Sequence, residues 1–218
     1  VDAYMICDMG NPLSVAYSKV SIDTWKDVES VDIQRLQCFT PATYESAPYF
    51  KDLTWTETLR RPWKVNSEVR YFTPSEKACF MTMFNLWVKQ AETSNRFLIL
   101  EHDAYVRNTV KLNTMLKKIH LNDVWLPGIA LETVSMNQRF AMEFVNSLLS
   151  GRIIDLGPMA MMLEFFHKYY RKPDKRYLWP CTVPSKDRAI PTLHNKSNTY
   201  LNGKFVGLEQ APVTQCIY

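Results

Sequence analysis

Short apolar blocks alternate along this chain with longer stretches of helical spacing, and that alternation predicts an α/β protein. Residues 3–9 read as a first strand. After Gly10 comes a helix opened by Asn11, with Pro12 in its first turn and an apolar stripe expected from Leu13, Tyr17, Val20 and Trp25. Residues 31–39 read as a second strand that ends at Thr40-Pro41. Strand, helix, strand in that order begins a parallel sheet. Residues 42–70 are aromatic and charged without clear periodicity. That is long for a structureless loop, so short helices or an ordered lid are expected there.

The run Thr73-Pro74-Ser75-Glu76 has the form of a capping box with proline at the first helical position. Residues 78–88 are apolar nearly all round, broken only by Thr82 and Asn85, which describes a buried helix. A turn near 91–95 leads to Phe97-Leu98-Ile99-Leu100, a wholly apolar run that reads as a strand covered on both faces. Farther on, Leu112, Met115, Leu116 and Ile119 mark a helix with Lys117, Lys118 and His120 expected in its last turn. Residues 123–126 read as a strand stopped by Pro127-Gly128. Phe140, Phe144, Val145 and Leu148 mark a helix stopped by Gly151. Residues 152–156 read as a strand, and Pro158 opens a helix to about Tyr170. From Arg171 onward prolines, charges and aromatics show little periodicity, so residues 1–171 are expected to form the domain and 172–218 an extension packed on it.

A chain of 218 residues is long enough for a real core. No stretch of eighteen apolar residues occurs, so no membrane span is expected, and the first residues lack the form of a signal peptide. The five cysteines (Cys7, Cys38, Cys79, Cys181, Cys216) contain no Cys-x-x-Cys pair, which indicates neither a zinc site nor a disulfide framework. Cys7, Cys38 and Cys79 lie in apolar segments and read as small core residues, and a reducing, cytoplasmic compartment fits. A net charge of +4 mildly favours anionic partners. There is no Gly-x-Gly-x-x-Gly, Walker loop or Gly-x-Ser-x-Gly, and the chain has only six glycines. Phosphate binding by a glycine-rich loop is therefore disfavoured, and metal-mediated phosphate binding is the simpler route.

The candidate chemistry sits where the apolar run 97–100 gives way to Glu101-His102-Asp103. Residues that leave a strand at the carboxyl edge of an α/β sheet are where such folds bind ligands. Two carboxylates beside an imidazole offer hard oxygens and one nitrogen to a divalent ion. The plain alternative is a strand end followed by solvated acids.

The segment from Tyr71 to Val106 resembles glycosyltransferase family 25, the lipopolysaccharide- and collagen-type sugar transferases. Ser75-Glu76-Lys77-Ala78-Cys79, Thr82-Met83, Trp87 and the acidic triplet align with the family pattern without a gap. Glu76, Cys79, Trp87, Glu101 and Asp103 match. Ser75 and Ala78 replace glycines, Met83 replaces a histidine, and His102 replaces the middle acid. The resemblance covers about a sixth of the chain firmly. It implies a GT-A-like α/β domain with a mostly parallel sheet and helices on both faces, plus a C-terminal extension. It also implies sugar transfer from a UDP-sugar with inversion and a manganese or magnesium ion held by Asp103. His102 is a candidate further ligand, as is His194, because many GT-A enzymes complete the metal shell with a late histidine. Asp8, Asn11, Glu76 and Glu101 are the expected nucleotide-sugar contacts.

An inverting transfer needs a base to take the acceptor proton, for which Asp155 and Asp187 are the candidates and Glu132 the next. Arg171, Lys172, Lys175 and Arg176 lie in a basic run interleaved with aromatics, suited to phosphate contacts and stacking. Its plain reading is a solvated helix end. Arg60, Arg61 and Lys64 form a second basic cluster. The size class resembles compact phage-encoded sugar transferases that modify hydroxymethylated DNA bases. Hence the acceptor expected is DNA, in a host cytoplasm, with a lipopolysaccharide-type glycan as the alternative. A non-enzymatic nucleic-acid-binding module and a metal-dependent nuclease are the remaining readings.

Overall fold

In the computed structural model the chain forms β1 (Asp2–Cys7), α1 (Pro12–Trp25), β2 (Asp32–Gln37), β3 (Arg60–Pro62), β4 (Val69–Tyr71), α2 (Pro74–Glu92), β5 (Leu98–Glu101), α3 (Thr109–Leu116), β6 (Val124–Trp125), β7 (Thr133–Met136), α4 (Gln138–Leu149), β8 (Thr199–Leu201) and β9 (Lys204–Val206). The structure describes residues 1–53, 60–62, 69–71, 73–106, 109–125, 133–150, 199–201 and 204–206. The strand and helix expected within 152–170 lie outside them. The described residues form an α/β fold in which a five-stranded sheet runs in the order β2-β1-β5-β7-β6. β1 pairs in parallel with both β2 and β5, whereas β5 pairs antiparallel with β7. The sheet is therefore mixed, with its parallel part at the β2-β1-β5 side.

The chain divides into two compact units, one built around Val1–Gln37 and Phe97–Ser135, the other around Cys38–Arg96 and α4. In the first, Ala3, Met5, Leu98 and Leu100 from the sheet pack with Trp25 of α1, Leu112 and Leu116 of α3, and Trp125. The alternate side chains Ile99 and Val134 are buried as well, which is the signature of a strand pair covered on both faces.

The buried face of α1 departs from the apolar stripe expected. Ser14, Ser18, Ser21 and Trp25 are buried, while Leu13, Tyr17 and Val20 are only half-buried. Small hydroxyl side chains let a helix backbone lie close to its neighbours, and each hydroxyl has a partner. Ser14 Oγ accepts from Asp8 N at 3.0 Å, Ser18 Oγ donates to Val15 O at 2.8 Å, and Ser21 Oγ donates to Ala104 O. A periodicity search on apolar residues cannot find such a face, because its members count as polar.

In the second unit the capping box forms as the sequence predicts. Thr73 Oγ1 accepts from Glu76 N at 3.2 Å, and Glu76 Oε2 accepts from Thr73 N at 2.8 Å. α2 then buries Phe80, Met81, Met83, Phe84, Leu86 and Trp87. It packs on α4 through rings: Trp87 and Phe144 lie 4.9 Å apart, and Phe140 sits 5.9 Å from Phe144. Asn137 caps α4 by accepting from Phe140 N at 2.8 Å. Short 3-10 turns at Tyr44–Ser46 and Phe50–Asp52 fill part of 42–70, as expected, followed by the β3-β4 hairpin.

Other differences are local. α3 ends at Leu116, so Lys117 and Lys118 fall in the following turn and His120 in a 3-10 turn at Ile119–Leu121. β7 was not expected: its residues Thr133-Val134-Ser135-Met136 alternate in polarity, yet all four are buried. Ser135 reconciles burial with its hydroxyl by donating to Phe97 O at 2.7 Å. The β8-β9 hairpin lies in the stretch read as aperiodic.

Replacement of Ser18 by leucine is expected to overpack the closely set α1 and lower unfolding free energy by about 1–3 kcal/mol. Urea denaturation measures it, and an unchanged midpoint would show that this face has room to spare.

Candidate functional site

The site is set by strand register. Ile6 of β1 stands opposite Glu101 of β5 in a parallel pairing, so both strands end at one edge of the sheet. Beyond Cys7 the chain turns through Asp8-Met9-Gly10-Asn11, and beyond Glu101 it turns through His102-Asp103-Ala104. Each turn closes on a backbone bond: Asn11 N donates to Asp8 O at 3.0 Å, and Ala104 N donates to Glu101 O at 3.0 Å. Gln37, the last residue of β2, reaches the same edge.

The Asp8 turn is tied on both sides. Asp8 Oδ1 accepts from Gly10 N at 3.1 Å and from Gln37 Nε2 at 3.4 Å, while Gln37 Oε1 accepts from Met9 N at 2.9 Å. The second oxygen, Asp8 Oδ2, takes no hydrogen bond among the described residues. Asn11 caps α1, its Oδ1 accepting from Leu13 N at 3.0 Å. Gln37 is a member of this edge that the sequence reading overlooked. Its signal was available, as a polar residue at the carboxyl end of the strand beside Asp8.

On the β5 turn, Glu101 and His102 are half-buried and Asp103 is fully buried. The His102 ring lies 5.8 Å from the Tyr17 ring, tilted by 50°, so the imidazole faces α1. The backbone after Asp103 is fastened to the same helix. Ala104 O accepts from Ser21 Oγ and from Trp25 Nε1, the latter at 3.0 Å, and Val106 N donates to Thr24 Oγ1 at 2.9 Å.

Of the residues expected at the site, the structure brings Asp8, Asn11, Glu101, His102 and Asp103 to one edge of one unit. Glu76 lies in the other unit, where its carboxylate serves the α2 cap. Asp155, Asp187, His194, Arg171, Lys172, Lys175 and Arg176 lie outside the described residues, as do Glu132 and Lys64. Arg60 and Arg61 fall in β3. Cys7 is buried as expected, whereas Cys38 and Cys79 are half-buried.

Among the described residues no group of three or more His, Cys, Asp or Glu side chains converges as a complete metal shell. The donors present are nonetheless hard carboxylate oxygens. Carboxylates are the donor type that an ion of the magnesium or manganese class takes, with water and substrate phosphate completing its shell, and Asp103 is fully buried here.

No family model matches the chain, and no curated protein matches it. Two solved structures of LgtC are similar to it. One is an active-site mutant at 12% identity and the other a galactosyltransferase complex with donor and acceptor sugar analogs at 13%. Each similarity covers 90% of this chain and 88% of LgtC at a TM-score of 0.44. At that score the likeness lends no weight to the site, which stands on the chain's own strand register. Among the described residues no helix is long and apolar enough to cross a membrane.

The two acids Glu76 and Asp8 should separate cleanly on mutation. Glu76→Ala is expected to cost about 1 kcal/mol of stability through the lost cap and to leave binding of UDP with manganese unchanged. Asp8→Ala is expected to weaken that binding with a smaller effect on unfolding. Calorimetric titration and urea denaturation of both variants check the pair, and the reverse pattern would exchange their roles.

Proposed function

We propose that this chain transfers a sugar from a nucleotide-sugar to an acceptor hydroxyl. The observation that carries the reading is the pairing of β1 and β5 in one parallel register, which delivers the Asp8-Asn11 turn and the Glu101-Asp103 turn to the same sheet edge. Parallel α/β sheets bind nucleotides at such edges. α1 adds to this. Its positive end starts beside Asp8 and carries no acidic residue in its first turn, which suits a phosphate group.

The resemblance of residues 71–106 to family 25 supplies the finer reading of a UDP-sugar donor and inversion at the anomeric carbon. When bound, a divalent ion supplies neutralisation of the charge that develops on the departing diphosphate. Asp103 would hold it, with His102 and His194 as further candidates. Glu101 and Asp8 would orient the nucleotide, and Asn11 would hold the turn that α1 continues. Asp155 or Asp187 would take the proton from the acceptor hydroxyl.

A ligand at a hundred times its Kd stabilises a protein by about 2.7 kcal/mol, so UDP and manganese together are expected to raise the thermal midpoint visibly. Asp103→Asn should abolish that rise and lower turnover by about a hundredfold or more, as removal of one charge-stabilising group does elsewhere. No rise across nucleoside diphosphates with either metal would favour the nucleic-acid-binding alternative. Cleavage of plain DNA with magnesium alone would favour a nuclease.

For the acceptor we favour a hydroxymethylated DNA base, supported by the basic-aromatic run of the sequence. Arg171, Lys172, Lys175 and Arg176 would contact phosphates and position the duplex without reading its sequence. The base hydroxyl would have to reach the donor, as by flipping out of the stack. A lipopolysaccharide-type glycan is the alternative. Duplex binding is expected to weaken steeply with salt, with a shallower slope once these four cations are replaced. Labelled sugar offered with hydroxymethylated DNA and with lipooligosaccharide decides between acceptors, and label in the glycan alone would end the DNA reading.

A further inference from the structure

Both turns of the site are fastened to one helix, and the fastenings fall on one face of it. Ser14 accepts from Asp8 N, the Tyr17 ring packs against His102, and Ser21, Thr24 and Trp25 bind the backbone from Ala104 to Val106. Positions 14, 17, 21, 24 and 25 are spaced by three and four, so they form one stripe along α1. Ala104 O is the densest point. It is buried and accepts two side-chain hydrogen bonds, one from a hydroxyl and one from an indole, directly after Asp103.

We propose that α1 acts as a spacer that fixes the Asp103 turn relative to the Asp8 turn, with Trp25 as the positioning residue. β5 ends at Glu101, and beyond the turn Ala104 forms a single β-bridge, so Asp103 itself lies between the last strand residue and that bridge. The turn bond from Ala104 N to Glu101 O curls the chain, and the side chains of α1 bind the carbonyl that leaves the turn. The indole of Trp25, 2% exposed and packed in the core of the first unit, supplies a donor that cannot move without disturbing that core. Thr24, whose hydroxyl also donates to Ser21 O at 2.7 Å, catches the chain two residues farther on. A rigid helix thereby converts core packing into a set separation between two carboxylate-bearing turns. Its bearing on binding rests on the glycosyltransferase reading, whereas the clamp itself does not.

Trp25→Phe keeps an aromatic ring in the core and removes the N–H. Leu116→Ala, which removes packing from the same core without touching residues 101–106 through a hydrogen bond, serves as the control. Amide hydrogen exchange in the ligand-free proteins is read first. The Trp25→Phe change is expected to speed exchange at 102–106 about tenfold more than at β1 and β5, whereas Leu116→Ala should not single out that segment. Calorimetric titration of UDP with manganese is read second, and the Trp25→Phe variant is expected to bind about tenfold more weakly than Leu116→Ala. Unchanged exchange at 102–106 would overturn the clamp, and faster exchange with undiminished affinity would overturn its positioning role. If the unmutated protein binds no nucleoside diphosphate with manganese, the transferase reading and the positioning role fail together, and the exchange contrast still decides the clamp.

Discussion

The parallel pairing of β1 with β5 is the constraint on which the candidate site depends. It joins residues nearly a hundred positions apart in the sequence. A slip of one residue would put Leu100 on the opposite face of the sheet from Met5, with which it shares a core beside Trp25, and would move the acidic turn along the edge relative to Asp8. Burial on both faces holds the strand pair together, and its register decides which polar residues meet at the edge. The placing of Glu101 to Asp103 at that edge is a by-product of packing at Leu98 to Leu100.

Polar groups next to that core are settled by side-chain to backbone bonds. Ser135 satisfies the carbonyl that precedes β5, and Ser21 with Trp25 satisfies the one that follows Asp103. Unsatisfied polar groups in a buried setting are expensive, which accounts for serines at positions where a pattern-based reading expects leucine or valine. The cap of α2 follows the same economy, with Thr73 and Glu76 bonding each other's backbone.

Much of this was legible in the sequence where one signal acted alone. The Thr73-Pro74-Ser75-Glu76 box, the unbroken apolar run before Glu101 and the phenylalanines of α4 each identify an element by local chemistry, and the structure has all three. The buried face of α1 was not legible, because its serines count as polar and because Ser21 and Trp25 bond a carbonyl some eighty residues away. β7 was missed for a related reason. Alternating Thr-Val-Ser-Met suggests a half-exposed strand or a loop, whereas its place between β5 and β6 makes it an interior strand. At the site, the acidic triplet and Asp8 could be found from their places after strands. Gln37 and Trp25 matter through contacts that no spacing rule encodes. Glu76 matched a family position, while its geometry reveals a capping duty.

The long sequence separation between β1 and β5 also bears on how the chain is made. β1, α1 and β2 are synthesised first and can pair among themselves, but β2 is largely solvent-exposed and Met5 needs β5 to complete its surroundings. Until residues 98–101 leave the ribosome, the early strand–helix–strand segment must persist with one side of β1 unpaired. Non-local parallel pairing of this sort is slow to form and leaves an open strand edge in the interval. Substitutions in β1 therefore act on the growing chain as well as on the finished fold.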